Sequence, residues 1–72
     1  SSTVSECVYS ANSGIVTYTG HSSLLGNTVV IDHGMGLLTW YCNLGDTDVT
    51  VGTAVAKGEL IGKTLAEIIK GE

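Results

Sequence analysis

Hydrophobic and polar residues alternate in short segments that glycine separates. Such segments cover residues 6–10, 15–19, 27–32 and 37–44, and further short apolar segments follow around Val49, Val55 and Leu60. A period of two predicts β-strands, and the intervening glycine, asparagine and aspartate residues predict tight turns. The pattern therefore predicts an all-β domain of short strands.

Two segments carry more specific predictions. In 37–44, alternation places Thr39, Tyr41 and Asn43 on one face of a strand and Trp40 on the other, where Trp40 is predicted to lie in the core. In 65–70 the sequence LAEIIK has apolar residues at i, i+3 and i+4, which fits a short helix, but a final strand fits equally well. Both alternatives stay open.

Length and charge limit the classes of function. The 72 residues are predicted to form one domain, 1–72, and a chain this short buries only about 60% of its unfolded surface. Seven acidic residues against three lysines give a net charge of −4, which argues against binding to nucleic acid or to an anionic membrane. No apolar run approaches the roughly 20 residues of a membrane span, so no membrane insertion is predicted. Any export signal is expected outside this segment.

The two cysteines, Cys7 and Cys42, allow two interpretations. Their separation matches no zinc-ribbon spacing. They are either two small buried thiols, since free cysteine is among the most buried residue types, or one disulfide between neighbouring strands.

The order of the motifs resembles the central segment of the LytM/lysostaphin-type zinc endopeptidases. The stretch GNTVVIDHGMGLLTWYCNL, from Gly26, is similar to that family's Gly-Asn strand, Asp-His-Gly turn and Thr-x-Tyr-x-His-Leu strand, and VTVGTAVAKGELIGKT follows as in the family. The resemblance implies a partial, barrel-sandwich hybrid-like antiparallel β domain. It also implies action on peptidoglycan or contact with an envelope protein, outside the cytoplasm or in the cell envelope of a bacterium.

The same resemblance predicts that the catalytic groups are absent. Family members hold zinc with a His-x-x-x-Asp pair and the second histidine of a His-x-His motif, which leaves one position open for water. Residues 1–6 and 65–72 contain no histidine, and Asn43 stands at the position of the family's strand histidine. An amide does not titrate near neutral pH. No catalytic, cofactor-binding or metal-binding residue and no cofactor are therefore predicted.

The remaining polar candidates have structural interpretations. By the same resemblance His33 matches a structural turn histidine of the family, and it is predicted to stabilise the Asp-His-Gly turn or to face solvent. Asp32 is predicted to accept hydrogen bonds from nearby backbone N–H groups. His21 is predicted to be exposed in a polar loop at 21–26, and a site built from His21, His33 and Asp32 is the weaker alternative. Lys57 is interpreted as an exposed turn lysine, because it lacks the methionine-flanked hairpin of biotinyl and lipoyl domains.

The resemblance places Thr39, Tyr41 and Asn43 on the face where the family has its cleft, and for Tyr41 both ligand contact and ordinary sheet packing stay open. Three hypotheses of function follow. The first is a non-catalytic LytM-like domain that serves as a binding or scaffold module. The second is a fragment of an active zinc endopeptidase whose ligands lie outside this chain. The third is a carrier-type hybrid barrel modified at Lys57. Open sheet edges also predict association with a second copy or with the rest of a parent protein.

Overall fold

The structure, a computed structural model, describes residues 2–65 and 67–69, and its regular elements there are all β-strands. The eight strands are β1 Ser2–Val4, β2 Cys7–Tyr9, β3 Gly14–Ser22, β4 Gly26–Asp32, β5 Leu38–Thr47, β6 Ala54–Val55, β7 Leu60–Thr64 and β8 Glu67–Ile69. The all-β prediction is confirmed. Of the two alternatives for residues 65–70, the strand is the one adopted over Glu67–Ile69, while Ala66 and Lys70 lie outside the described residues.

The strands form two antiparallel sheets. β1 pairs with β8, and the other six strands form one curled sheet in the order β2-β7-β5-β4-β3-β6. Short connections join β3 to β4 and β4 to β5, so the centre of the large sheet is a meander of two hairpins. No helix in the described ranges is long and apolar enough to cross a membrane.

The core lies on one face of the large sheet. Its buried members are Val16, Val29, Ile31, Leu44, Val55 and Ile61, and Val8, Tyr41 and Val49 pack against them. Successive side chains of a strand point to opposite faces. Val29 and Ile31 of β4 therefore point to the core, and Val30 between them points to the other face. Val30 is nevertheless only 3% exposed, so β4 is covered on both sides.

Trp40 is not in the core, and the prediction that placed it there is wrong. Its side chain is 56% exposed. Trp40 pairs with Val30 across β4 and β5, and directly opposed residues share a face, so Trp40 lies on the face away from the core.

A β-bulge in β5 explains why simple alternation fails. Asn27 pairs with Leu44 and Val29 pairs with Tyr41, so one residue of β4 opposes two residues of β5, Cys42 and Asn43. The extra residue changes the phase of the strand, because a shift of one residue moves side chains to the opposite face. Tyr41 and Leu44 consequently both contribute to the core.

Both predictions for the cysteines are wrong as well. Cys7 is exposed and Cys42 is half-buried, and both are free thiols. Cys7 lies on β2, whose partner is β7, whereas Cys42 lies on β5 on the other side of β7. Strands separated by a third strand are too far apart for a direct disulfide, since neighbouring strands are already about 4.8 Å apart.

Candidate functional site

Asn43 occupies the bulge of β5 in a left-handed backbone conformation, with φ at 57°. Asparagine, aspartate and histidine are the non-glycine residues that adopt this conformation most readily. The position therefore suits the Asn43 of this chain and would also suit a histidine. The Asn43 side chain is exposed, and its amide cannot serve as a proton donor or acceptor in catalysis near neutral pH.

Hydrogen bonds hold the bulge against the turn between β3 and β4. The backbone N–H of Asn43 donates to the carbonyl of Leu25 at 2.7 Å. The side-chain amide of Asn27 donates to the carbonyls of Leu44 and Gly45 at 2.9 and 3.2 Å. A Cβ added at Gly26 would lie 2.8 Å from the Asn43 side-chain oxygen, so the absence of a side chain at Gly26 gives Asn43 its space.

His33 is a structural residue of the turn between β4 and β5, which is the first of its two predicted roles. Its Nδ1 lies 2.7 Å from the carbonyl oxygen of Ser13, and its Nε2 lies 2.6 Å from the hydroxyl of Thr39. A carbonyl oxygen only accepts, so Nδ1 carries the proton and Nε2 of the neutral ring accepts from Thr39. The backbone N–H of Gly34 donates to Asp32 at 2.7 Å, which confirms Asp32 as the turn acceptor. Both ring nitrogens are therefore used within the protein.

Thr39 and Tyr41, the other residues predicted to share a face with Asn43, lie on the core side of the sheet. They pair with Ile31 and Val29, and Tyr41 packs against the core. The Tyr41 hydroxyl accepts a hydrogen bond from the backbone N–H of Ala11 at 2.8 Å. A ligand-facing role for Thr39, Tyr41 and Asn43 stays a prediction, and Asn43 is the exposed member of the three.

Lys57 and His21 were both predicted to be exposed, and the structure confirms this for both side chains. Lys57 is exposed in the turn between β6 and β7. His21 is exposed too, but it belongs to β3 and pairs with Asn27, so the predicted loop at 21–26 is shorter than expected. The turn proper covers residues 23–25.

Cys7 and Tyr9 interact at the exposed end of β2. A side-chain hydrogen bond to Cys7 and the electrostatic interaction with that residue raise the pKa of the Tyr9 phenol above its usual value. Both residues are exposed, so this pair is a surface feature.

The face of the sheet opposite to the core contains an apolar groove of about 480 Å³, which alternation alone did not predict. Its lining residues are Thr17, Tyr18, Ser22, Leu25, Thr28, Val30, Leu38 and Trp40. Tyr18 and Trp40 are 47% and 56% exposed, so the groove opens to solvent between aromatic rings. The sequence carries one signal of it: between Gly14 and Gly45 the only charged residue is Asp32.

The described side chains do not fit the zinc site of the LytM-type enzymes. Across residues 5–65 no three histidine, cysteine, aspartate or glutamate side chains lie close enough to hold a metal ion. A catalytic zinc site needs three protein ligands, and His33 already uses both nitrogens in hydrogen bonds. We therefore derive no chemical step through a metal in this chain.

Comparison with known proteins gives the family. The sequence model of peptidase family M23 matches residues 1–69. The chain belongs to this family. A similar relative is the peptidoglycan DD-endopeptidase ShyA of Vibrio cholerae, which is 38% identical over 55 residues. The match covers 76% of this chain but 13% of ShyA, so the chain spans about an eighth of the length of that relative.

The motifs of the family resemblance form the central hairpin of this M23 chain. The Asp-His-Gly turn and the Thr-x-Tyr-x-x-Leu strand are the two motifs on which the resemblance to LytM-type enzymes depends, and they form the turn after β4 and the strand β5. The M23 scaffold is thus present over the described residues, with Asn43 at its bulge.

Proposed function

We propose that residues 1–72 form a partial, non-catalytic M23 domain that acts as a peptidoglycan-directed binding or scaffold module of the bacterial cell envelope. This proposal rests chiefly on the identity and position of Asn43. It occupies the exposed bulge of an M23 scaffold at the place of the family's strand histidine, and an amide cannot transfer a proton there.

Two further findings support a binding role. The described side chains offer no three-ligand cluster for a metal, so the hydrolytic chemistry of M23 enzymes has no support within them. The relative ShyA is a peptidoglycan DD-endopeptidase, which makes peptidoglycan the first ligand to test. A cell-envelope location outside the cytoplasm follows from the same ligand.

A second function is favoured by the length of the match. This chain corresponds to only 13% of ShyA. The alternative is therefore that it is one segment of a longer, active zinc endopeptidase. In that case the metal ligands would come from other segments of the longer protein. Asn43 would still remove one assisting group, so turnover should be slow compared with an enzyme that has histidine there.

Co-sedimentation with purified peptidoglycan tests the binding proposal. The 72-residue chain is mixed with sacculi in the presence of zinc, the pellet is assayed for bound chain, and the supernatant is assayed for released peptides. We expect bound chain and no released peptide, and elemental analysis should find less than one zinc per chain. Peptide release together with one tightly bound zinc would overturn the proposal.

A variant at Asn43 sharpens the test. Asn43→Gly removes the amide and keeps the left-handed backbone, which glycine adopts freely. We expect it to weaken binding to sacculi while the free energy of unfolding stays nearly unchanged. Asn12→Gly makes the same chemical change at another exposed asparagine and serves as the matched control. Equal binding by the two variants would remove Asn43 from the proposed binding surface.

The alternative is tested on the longer gene product. If the gene encodes a His-x-x-x-Asp pair before this segment and a His-x-His motif after it, the whole protein should cleave peptidoglycan cross-links with zinc. Asn43→His should then raise its turnover, because histidine restores a titrating group at the bulge. Cleavage that is absent from the whole protein with and without this substitution would exclude the alternative.

A further inference from the structure

The β3 strand has an outer edge that is only partly covered. β6 pairs with β3 at Gly14 and Ile15, and the loop before β6 adds hydrogen bonds between Val16 and residues 52 and 53. A bulge between Val16 and Tyr18 then ends this cover. Over Tyr18–Ser22, which we call the free edge, β4 pairs with one side, and no strand of the described residues pairs with the other.

The free edge lacks the devices that usually block such pairing. Natural edge strands are protected by lysine, by proline, by β-bulges or by being very short, and the bulge of β3 lies before the free edge begins. The sequence Tyr-Thr-Gly-His-Ser contains neither lysine nor proline, and the free edge is five residues long. By comparison, the other strands at the ends of the sheet, β2 and β6, have three and two residues.

Charge distribution favours a second copy of this chain as the partner. The molecule carries a net charge of −4, so two copies repel each other over most of their surfaces. Between Gly14 and Gly45 the only charged residue is Asp32, which pairs with Ile15 at the far end of β3. The free edge is thus a place where two acidic molecules can meet without like charges in contact.

Side chains next to the free edge are suited to a two-fold arrangement. Tyr18 lies on the groove face, and a Cβ built at Gly20 would collide with its phenol ring, so the ring extends along the strand over Gly20. Antiparallel pairing centred on Gly20 sets Tyr18 opposite Ser22 of the second copy, so the two Tyr18 rings would meet end to end at their hydroxyls near the axis and join the two apolar grooves. Cross-strand side-chain contacts of this kind add to the hydrogen bonds of the strands.

We infer that two copies of this chain associate through antiparallel pairing of their free edges, Tyr18–Ser22, around a two-fold axis near Gly20. The six-stranded sheets of the two copies would become one continuous sheet, and the contact would be isologous. The inference concerns self-association and does not depend on the proposed function.

Sedimentation equilibrium of the full chain under reducing conditions tests the inference, and the reductant excludes disulfide-linked dimers. The wild-type mass should rise with concentration from 7.4 kDa for one chain toward the mass of two chains. His21→Lys places the natural edge-blocking residue on the free edge, where the His21 side chain is exposed. It should weaken association about tenfold.

Thr50→Lys, at an exposed loop position, is the matched control. Both variants reduce the net negative charge by one, so a general charge effect predicts stronger association for both. Free-edge pairing predicts weaker association for His21→Lys alone. A chain that stays monomeric at millimolar concentration overturns the inference, and so does an equal response of the two variants.

Hydrogen exchange on the wild-type chain keeps the test independent of any variant that fails to fold. Backbone amides of Tyr18–Ser22 that point away from β4 should exchange more slowly as the chain concentration rises. Amides of the β2 edge, Cys7–Tyr9, should not change. Concentration-dependent protection at β2 instead of at the free edge would place the contact elsewhere and overturn the inference.

Discussion

The two faces of β4 show how one apolar strand produces a core on one side and an open apolar groove on the other. Val29 and Ile31 are fully buried, and Val30 between them is almost as buried. Val29 and Ile31 are covered by residues of the core, whereas the neighbours that cover Val30, Tyr18 and Trp40, are themselves about half exposed. Burial of a strand therefore does not by itself tell which face belongs to the core.

Truncating one large side chain on each face of the sheet should give the largest difference in the free energy of unfolding. Ile31→Ala leaves a cavity at a site with no solvent exposure, and we expect it to lower the free energy of unfolding by about 2–5 kcal/mol. Leu38→Ala removes a side chain of similar size from the groove face. Because Leu38 is 51% exposed, its truncation should cost less than about 1 kcal/mol. Urea denaturation measures both. Equal losses would mean that the groove face is a second core.

Two glycines of β3 give the next contrast. A Cβ at Gly14 would lie 2.5 Å from the carbonyl oxygen of Asp32 and 2.7 Å from a methyl group of Ile31, and the backbone of the paired strand cannot easily move. We expect Gly14→Ala to cost about 1–3 kcal/mol. At Gly20 the added methyl meets the phenol ring of Tyr18, which can swing into solvent.

Gly20→Ala should therefore be nearly neutral, since alanine also restricts the unfolded chain more than glycine does. Thermal melts of the two variants test the contrast. A Gly20→Ala variant that is as unstable as Gly14→Ala would show that Tyr18 is fixed in place and that the groove face is rigidly packed.

Substitutions at the polar end of the core face should show an effect no larger than that of Gly14→Ala. Thr39 and His33 close that end with a hydrogen bond of 2.6 Å, and His33 also holds Ser13 of the preceding turn. Thr39→Val leaves Nε2 of His33 without its partner and should cost about 1 kcal/mol, and His33→Ala should cost about 1–3 kcal/mol. In a double-mutant cycle the two losses should add to more than the loss of the double variant. Strict additivity would mean that the bond contributes nothing.

Local sequence signals were sufficient to predict the central strands and the Asp-His-Gly turn. Period-two alternation and β-branched residues located β3, β4 and β5, because a half-buried strand requires them. The role of Asp32 and the backbone hydrogen bonds of the turn also followed from the turn motif, because they are formed within a few residues. These features depend on short-range chemistry.

The assignment of Trp40 depended on information that the local pattern does not carry. Which face of β5 is buried is decided by its pairing with β4, and the bulge at Asn43 changes the phase within the strand. The local pattern did not predict the apolar groove either, because the groove is lined mainly by residues of three strands and their register cannot be predicted from the local pattern. The two predictions for the cysteines were wrong because burial and pairing of the thiols depend on where β2 and β5 lie in the sheet.

Variants at the bulge test whether the left-handed backbone of Asn43 causes the phase change in β5, and their expected effect is the smallest. Asn43 has a positive φ, which costs most residues about 1–2 kcal/mol but costs asparagine less and glycine least. We expect Asn43→Ala to lower the free energy of unfolding by about 1 kcal/mol and Asn43→Gly to leave it nearly unchanged. Urea denaturation of the two variants gives the difference. If alanine were tolerated as well as glycine, the left-handed bulge would not be what brings both Tyr41 and Leu44 to the core face, and the phase change in β5 would need another cause.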